Sequence, residues 1–353
     1  MRILITGGTV VTATGTMPAD VLVDGEKVTA VAVRDDSPER LRPEAGGSGQ
    51  PGGRSANPDR VIDATGKYLL PGGIDAHTHM EMPFGGTFSA DTFETGTRAA
   101  AWGGTTTIID FAVQAKGTSL LATLDKWHAK ADGNCAIDYG FHMIVSDVNE
   151  TTLKEMDSCI AAGVNSFKMF MAYPGVFYAT DGEILLAMQQ AARSGAMVMM
   201  HAENGIAIDQ LVAQALAAGR TEPVQHGLTR PPELEGEATS RAIVLAQVAR
   251  CPLYIVHLSA RHALEAVAAA RDTGQNVFAE TCPQYLYLTL EDQLGAPGFE
   301  GAKWVCSTPG IPLGILEKSP RPSSFWSLKQ NGQWSVDTTH RSLVRSPRHR
   351  SAW

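Results

Sequence analysis

The feature that most constrains this sequence is an alternation of strand-like and helix-like runs that begins near residue 67. The apolar, strand-like runs cover 68–79, 105–113, 139–145, 166–172, 196–202, 253–258 and 276–281. The helix-like stretches cover 90–101, 120–131, 151–162, 183–194, 206–218, 233–250 and 261–273. Strands that alternate with helices form parallel sheets, and seven units in series favour a (β/α)8-type barrel over a short doubly wound sheet. Closure of that α/β barrel requires an eighth strand, which is missing or replaced in this pattern.

The residues before the barrel pattern have a different character. Residues 1–34 contain short β-like runs separated by Gly-rich or Asp-Gly turns, without helical periodicity, and 60–64 resumes strand character. Residues 35–59 are rich in Pro, Gly, Ser, Arg and Glu, which predicts a disordered surface loop. The sequence therefore predicts a small, partial β-sandwich domain over 1–66, a barrel over 67–309 and an aberrant basic tail over 310–353.

Composition excludes several classes of function. The chain has 353 residues, 44% of them hydrophobic, and a formal net charge of −8, which disfavours nucleic acid and anionic membrane surfaces as partners. No run is long and apolar enough to span a bilayer, and the N-terminus lacks a signal-peptide layout. Five scattered cysteines without a CxxC pattern are typical of reduced thiols, so we expect a cytoplasmic protein.

Polar residues occur at or near the carboxyl ends of the predicted strands. His77 and His79 end the first strand on one side of it, because side chains two apart on a strand share a face. The apolar run before them predicts that this strand is buried. Lys168 lies in the fourth strand, His201 ends the fifth and His257 ends the sixth. These ends meet at one face of a parallel barrel, where barrel enzymes build their sites. Taken singly, the histidines could be core or exposed residues, and the lysine could reach solvent.

The side chains that converge there suit a metal centre. Imidazoles suit zinc and similar divalent ions, so the first histidine pair would hold one ion and His201 with His257 a second. A buried ammonium beside two cations is costly, whereas carbamylation of Lys168 would create an anionic bridge. Such a site generates a metal-bound hydroxide and polarises a carbonyl. Tyr173 would then stabilise an oxyanion, although its position also fits an ordinary tyrosine at the rim of the site.

Five segments together resemble the cyclic amidohydrolases, and closely their dihydropyrimidinase and D-hydantoinase branch. The segments are PGGIDAHTHM at 71–80, GGTT at 103–106 with DF at 110–111, NSFKMFMAY at 165–173, HAEN at 201–204 and YIVH at 254–257. The resemblance covers residues 1 to about 309. The lysine-containing segment is the most specific match.

The resemblance implies a barrel with a small β-sandwich and a centre of two Zn²⁺ ions bridged by carbamylated Lys168. It implies hydrolytic opening of a small cyclic amide, such as a dihydropyrimidine or hydantoin, to an N-carbamoyl amino acid, in a homotetramer. Tyr173 matches the family's oxyanion-binding tyrosine, and Ser307 a serine whose backbone binds the substrate ring. Phe84, Phe170 and Phe177 match loop residues that shape the substituent pocket, although apolar packing would explain them equally.

The resemblance stops near residue 309. Family members carry an eighth strand whose aspartate ligates one metal and transfers a proton, and that motif is absent here. Residues 310–353 instead contain seven Lys or Arg and two acids, which suggests truncation or a frameshift. Asp337 offers a substitute carboxylate, but we expect it not to be a true ligand. Without that general acid/base we expect the chain as given to be weakly active or inactive.

Two other functions fit the same pattern. A non-catalytic scaffold with this fold is disfavoured because the histidines and Lys168 are present. Allantoinase or dihydroorotase activity is the second alternative, and the segment KMFMAY at 168–173 favours the dihydropyrimidinase branch over it.

Overall fold

A computed structural model describes residues 1–34, 58–84 and 86–306, together with two short strands farther along the chain. The chain divides into two compact units, one of residues 1–72 with 323–339 and one of 73–322 with 340–353. Most of the predicted loop at 35–59 and nearly all of the predicted tail lie outside the described residues.

The first unit contains a six-stranded sheet. Its strands are β1 Arg2–Thr6, β2 Thr9–Thr12, β3 Gly15–Asp24, β4 Lys27–Val33, β5 Arg60–Asp63 and β6 Tyr68–Leu69. The order is β5-β1-β3-β2-β6, with β4 paired to β3. Alternation along β2 and β3 places Val10, Ala19 and Val21 on one face, where they form a small apolar core. The predicted β character of this region is therefore confirmed.

The second unit begins with an alternation of strands and helices. Its strands are β7 Gly73–Thr78, β8 Pro83–Phe84, β9 Thr87–Phe88, β10 Thr105–Val113, β11 Asp138–Ile144, β12 Ser166–Phe170, β13 Met197–His201, β14 Leu253–Ile255 and β15 Val277–Ala279. Its helices are α1 Phe93–Trp102, α2 Leu120–Ala131, α3 Glu150–Ala161, α4 Asp181–Arg193, α5 Gly205–Ala217, α6 Gln225–Leu228, α7 Pro232–Ala249 and α8 Arg261–Asp272. The last two strands, β16 Ser327–Leu328 and β17 Trp334–Ser335, belong to the first unit and pair antiparallel with each other.

Seven parallel strands form the central sheet in the order β15-β14-β13-β12-β11-β10-β7. This order is sequential, as in a (β/α)8 barrel, and the architecture is an incomplete barrel of that type. Side chains of the middle strands are fully buried, among them Ile108, Met143 and Phe167. Continuous burial on both faces explains why these strands appear in the sequence as apolar runs rather than as alternating patterns. All seven predicted strands and all seven predicted helices are present.

The prediction of one continuous, buried strand over 68–79 was wrong in two respects. The structure divides it into β6 and β7 around residues 70–72, because Pro71 cannot donate a ladder hydrogen bond. Ile74 on β7 is 67% exposed, so this strand is not buried as its apolar run predicted. The reason is its place at the sheet edge. Within the part of the chain that the structure describes, β7 pairs only with β10, and β15 only with β14.

Additional turns follow β15. They are 3₁₀ turns over Pro283–Leu286 and Glu300–Trp304 and a π turn over Leu290–Leu294, none of which the sequence pattern predicted. Among the helices of the described residues, none has the length and apolar character needed to cross a membrane.

Candidate metal centre

The carboxyl end of β7 presents two imidazoles to one side. The Nε2 atoms of His77 and His79 are 3.2 Å apart. Two nitrogens bound to one tetrahedral zinc ion at ordinary bond lengths are about 3.3 Å apart, so this spacing suits a shared ion. Burial lowers the pKa of His77, and burial with the nearby charge of His77 brings the pKa of His79 well below its usual range. Both rings are therefore neutral at pH 7, which is the form that binds metals.

Asp110, at the carboxyl half of β10, anchors the chain between these histidines. Its Oδ2 accepts hydrogen bonds from Thr78 Oγ1 at 2.9 Å and from Met80 N at 2.7 Å. Burial raises the pKa of this carboxyl to about 7 in spite of the two donors. In the sequence, Asp110 stood out only as part of the DF match at 110–111, and no contact was assigned to it.

Lys168 lies in the middle of β12 and is 1% exposed. Its ammonium nitrogen is 5.1 Å from the ring centroid of Phe111 and 4.7 Å from that of Phe170. Burial lowers the pKa of Lys168 to about 7, although the charge of Glu280 opposes this shift. A large fraction of the side chain is therefore an uncharged amine at neutral pH, and a neutral amine is the form that reacts with CO₂.

His201 and His257 follow on neighbouring strands, and their ring centroids are 4.5 Å apart. His201 Nε2 is 2.6 Å from Glu203 Oε2, so only Nδ1 is left for another ligand. Burial lowers the pKa of His201. Burial, together with the nearby charge of His201, brings the pKa of His257 well below its usual range. The His257 ring is also 5.8 Å from that of His77, so the four histidines form one cluster.

The cluster also contains a carboxylate that sequence reasoning missed. Glu280 directly follows β15, and its Oε1 contacts Nδ1 of His77. Its Oε2 accepts a hydrogen bond of 3.1 Å from the hydroxyl of Tyr254. The rule that identified the histidines, a polar residue at the carboxyl end of a predicted strand, applies equally to Glu280 in the run 276–281.

His142 in β11 contacts two of the strands that carry the site residues. Its Nε2 lies 2.9 Å from the carbonyl oxygen of Ala76 and its Nδ1 lies 2.5 Å from Ser166 Oγ. Burial lowers the pKa of His142 to about 4, so the ring is neutral. It joins the strand of the first histidine pair to the strand of Lys168, which agrees with its interpretation as a core histidine.

The residues fit a metal centre by their chemistry. Within 1–34, 58–84 and 86–306, no three His, Cys, Asp or Glu side chains are close enough to one another to hold one ion. The buried Nδ1 of His79 has no hydrogen-bond partner among the described residues, so this ring can change tautomer without losing a bond there. Neutral imidazoles are donors that divalent zinc prefers, and the 3.2 Å spacing of one pair suits a shared ion.

An open cavity of about 950 Å³ contains these side chains and the predicted aromatic residues. Phe84, Phe170, Tyr173 and Phe177 all line it. The Phe170 and Phe177 rings stack with centroids 4.9 Å apart, and the Tyr173 ring lies 5.4 Å from that of Phe84. The structure thus brings every predicted site residue into one cavity except Ser307, which lies outside the described residues.

Two residues of the site have strained backbones. Tyr173 has a φ of 61° and His257 a φ of 40°, a region that side chains other than glycine rarely adopt. Such strain persists where surrounding structure enforces it, and it is concentrated at functional sites.

Comparison with known proteins agrees with this geometry. A model of the amidohydrolase family matches residues 68–254. The D-hydantoinase of Streptomyces coelicolor is 58% identical over 340 residues, which are 96% of this chain and 68% of that protein. The dihydropyrimidinase of Rattus norvegicus is 42% identical over 79% of this chain and 51% of that protein.

Solved structures agree as well. The dihydropyrimidinase from Brevibacillus agri superposes with a TM-score of 0.80 at 48% identity, over 88% of this chain and 64% of that one. The chain thus spans 68% of the Streptomyces protein, 64% of the Brevibacillus protein and 51% of the rat protein. It belongs to the amidohydrolase family, in the branch that contains the D-hydantoinases and dihydropyrimidinases.

Proposed function

We propose that this protein hydrolyses a cyclic amide, opening a dihydropyrimidine or hydantoin ring to an N-carbamoyl amino acid. One observation carries the proposal: four histidines and a buried lysine line one cavity at the carboxyl ends of parallel strands. Proteins similar in sequence to this chain are named D-hydantoinase and dihydropyrimidinase. The substrate class is taken from those names.

We further propose a centre of two Zn²⁺ ions. His77 and His79 would hold one ion, His201 and His257 the other, and carbamylated Lys168 would bridge them. When bound, the ions polarise the substrate carbonyl and activate water at neutral pH. The lowered pKa of Lys168 supports carbamylation because it makes the reactive neutral amine available.

The remaining residues would bind and orient the substrate. The Tyr173 hydroxyl would donate to the oxyanion that develops as the amide carbonyl is attacked, and the Ser307 backbone would hold the ring. Phe84, Phe170 and Phe177 would contact the exocyclic substituent, since their rings form one apolar wall of the cavity.

The first test is a substrate panel with metal analysis. We expect zinc bound by the purified protein and weak turnover of dihydrouracil or hydantoin, because the general acid/base of the family is absent, with a preference over allantoin and dihydroorotate. Preference for either of the last two would move the protein to the allantoinase or dihydroorotase class. Absence of both bound metal and turnover would instead support a non-catalytic scaffold.

The second test concerns the bridge. Lys168→Ala should lose zinc and at least ~10²-fold in rate, and a small carboxylate such as acetate or propionate should restore part of both, because it can occupy the bridging position. The matched control is Lys154→Ala, which removes an exposed lysine of α3 and should change neither. Failure of carboxylates to restore activity, with zinc still bound, would contradict the carbamate bridge.

Assembly and location are proposed from the same family. We infer a homotetramer, which light scattering of the purified protein tests, and a cytoplasmic location. The five scattered cysteines without a CxxC pattern support this location.

A further inference from the structure

Glu280 occupies a rigid position opposite the first histidine. Its backbone N–H donates to Ile255 O at 3.0 Å and its carbonyl accepts from Leu258 N at 2.7 Å, so it is hydrogen-bonded on both sides of His257. The Glu280 side chain is 19% exposed and the His77 side chain 15%. The Glu280 carboxylate therefore contacts the His77 imidazole from the end of β15. Backbone hydrogen bonds to Ile255 and Leu258 hold that end in place.

Both carboxylate oxygens have defined partners. Oε1 contacts His77 Nδ1, and Oε2 accepts the 3.1 Å hydrogen bond from Tyr254. An ionised carboxylate can only accept, so the hydrogen in the contact with His77 lies on Nδ1. In a neutral imidazole the other nitrogen is then an acceptor. That nitrogen, Nε2, is the one that faces His79 Nε2 at 3.2 Å.

We propose, on the basis of the zinc centre in the proposed function, that Glu280 is a positioning residue for His77. It holds the ring hydrogen on Nδ1 and presents the Nε2 lone pair to the metal, and Tyr254 holds the carboxylate in place. Carboxylates that orient metal-binding histidines in this way are common next to zinc.

The hydrogen bond at His201 shows why control of the tautomer matters at this site. Glu203 faces Nε2 of His201, whereas Glu280 faces Nδ1 of His77. The two histidines must therefore offer different nitrogens to the centre, and nothing in the imidazole itself selects between them. The selection comes from the carboxylate that each ring meets.

Glu280→Gln is the discriminating variant. Tyr254 would donate to the amide oxygen and leave the NH₂ group facing His77, which forces Nδ1 to accept and moves the hydrogen to Nε2. We expect the ring ¹⁵N signals of His77 in the metal-free protein, assigned by their loss in His77→Gln, to change from the Nδ1–H to the Nε2–H tautomer. Zinc affinity, measured by competition with a chromophoric chelator, should fall about 10–100-fold. Glu265→Gln, an exposed residue of α8, is the control for charge and should change neither.

Tyr254→Phe is the second variant, and it keeps the proposal testable if Glu280→Gln fails to fold. It retains the carboxylate, so the Nδ1–H tautomer should persist, and zinc affinity should fall less than in Glu280→Gln. An unchanged tautomer in Glu280→Gln would overturn the proposal. Loss of one bound zinc with the tautomer unchanged would also overturn it, by making Glu280 a ligand. The tautomer is read without metal or substrate, so it is independent of whether the chain hydrolyses cyclic amides.

Discussion

Asp110 holds Thr78 in place, and with it the chain between the two histidines of the first strand. The hydroxyl of Thr78 donates to Asp110 Oδ2 at 2.9 Å, and the same oxygen accepts from Met80 N. The strand that carries His77 is at the sheet edge and pairs with only one neighbour among the described residues. Side-chain hydrogen bonds from β10 therefore replace part of the support that a second neighbouring strand gives elsewhere.

Asp110→Ala should destabilise this end of the strand. Two partly buried donors lose their acceptor, at a cost of up to about 1–3 kcal/mol each. We expect a lower free energy of unfolding in urea and reduced zinc content. Asp110→Asn is the matched variant, since its amide oxygen can accept both bonds, and it should retain most of the zinc. Equal zinc content in Asp110→Ala and the unmodified protein would show that the anchor is not needed.

Tyr173→Phe should impair the chemical step. If the hydroxyl stabilises the oxyanion, its removal lowers kcat by roughly 10²–10³-fold, while KM changes little because the ring remains. Steady-state kinetics with the substrate identified in the panel measures both. Tyr287→Phe, at a position 83% exposed, should leave both constants unchanged. A rise in KM alone would assign Tyr173 to substrate binding.

Gly205→Ala should disturb the site through packing. A Cβ at Gly205 would lie 2.6 Å from the Cα of Ala172, the residue before Tyr173, and a backbone atom cannot move aside cheaply. We expect a loss of about 1–3 kcal/mol in the free energy of unfolding, together with reduced turnover.

Gly182→Ala provides the control for that substitution. Apart from its chain neighbours and the backbone of its own helix, no described residue has an atom within 4 Å of a Cβ at Gly182, near the start of α4, so alanine should raise stability by roughly 0.5–1 kcal/mol. Thermal unfolding of both variants measures the contrast. Equal effects of the two substitutions would contradict the close approach at Gly205.

Stability should depend on pH through Glu235. Burial raises the pKa of this carboxyl from 4.5 to about 7, although Ser259 donates two hydrogen bonds to it. Because the folded protein holds the proton more tightly than the unfolded chain, the contribution is fully present below pH 4.5 and is lost as the pH rises toward 7 and beyond. The loss amounts to at most about 3 kcal/mol.

Glu235→Gln should remove that dependence. Urea unfolding between pH 4.5 and 8 would show a flatter profile than the unmodified protein, whereas Glu233→Gln, exposed on the same helix, would not. A profile unaltered by Glu235→Gln would mean that another group causes the pH dependence.

The order of the elements could be predicted because each has its own local pattern. Runs such as 105–113 and 166–172 became β10 and β12, and the helices between them follow apolar periodicity. The buried character expected of 68–79 was wrong, since burial depends on what lies beside a strand rather than on its own residues. The roles assigned to the site residues, including Asp337 outside the described part, stay predictions.

The sequence by itself determined the alternation of parallel strands and helices and placed four histidines and Lys168 at or near strand ends, because periodicity and parallel topology are local properties. Only the tertiary structure decided that Glu280 contacts Nδ1 of His77, since the two residues are 203 positions apart along the chain. It also decided the pKa of Lys168, because burial depends on rings that Phe111 and Phe170 bring from two strands. Protonation and tautomer are properties of the packed environment, which no local pattern contains.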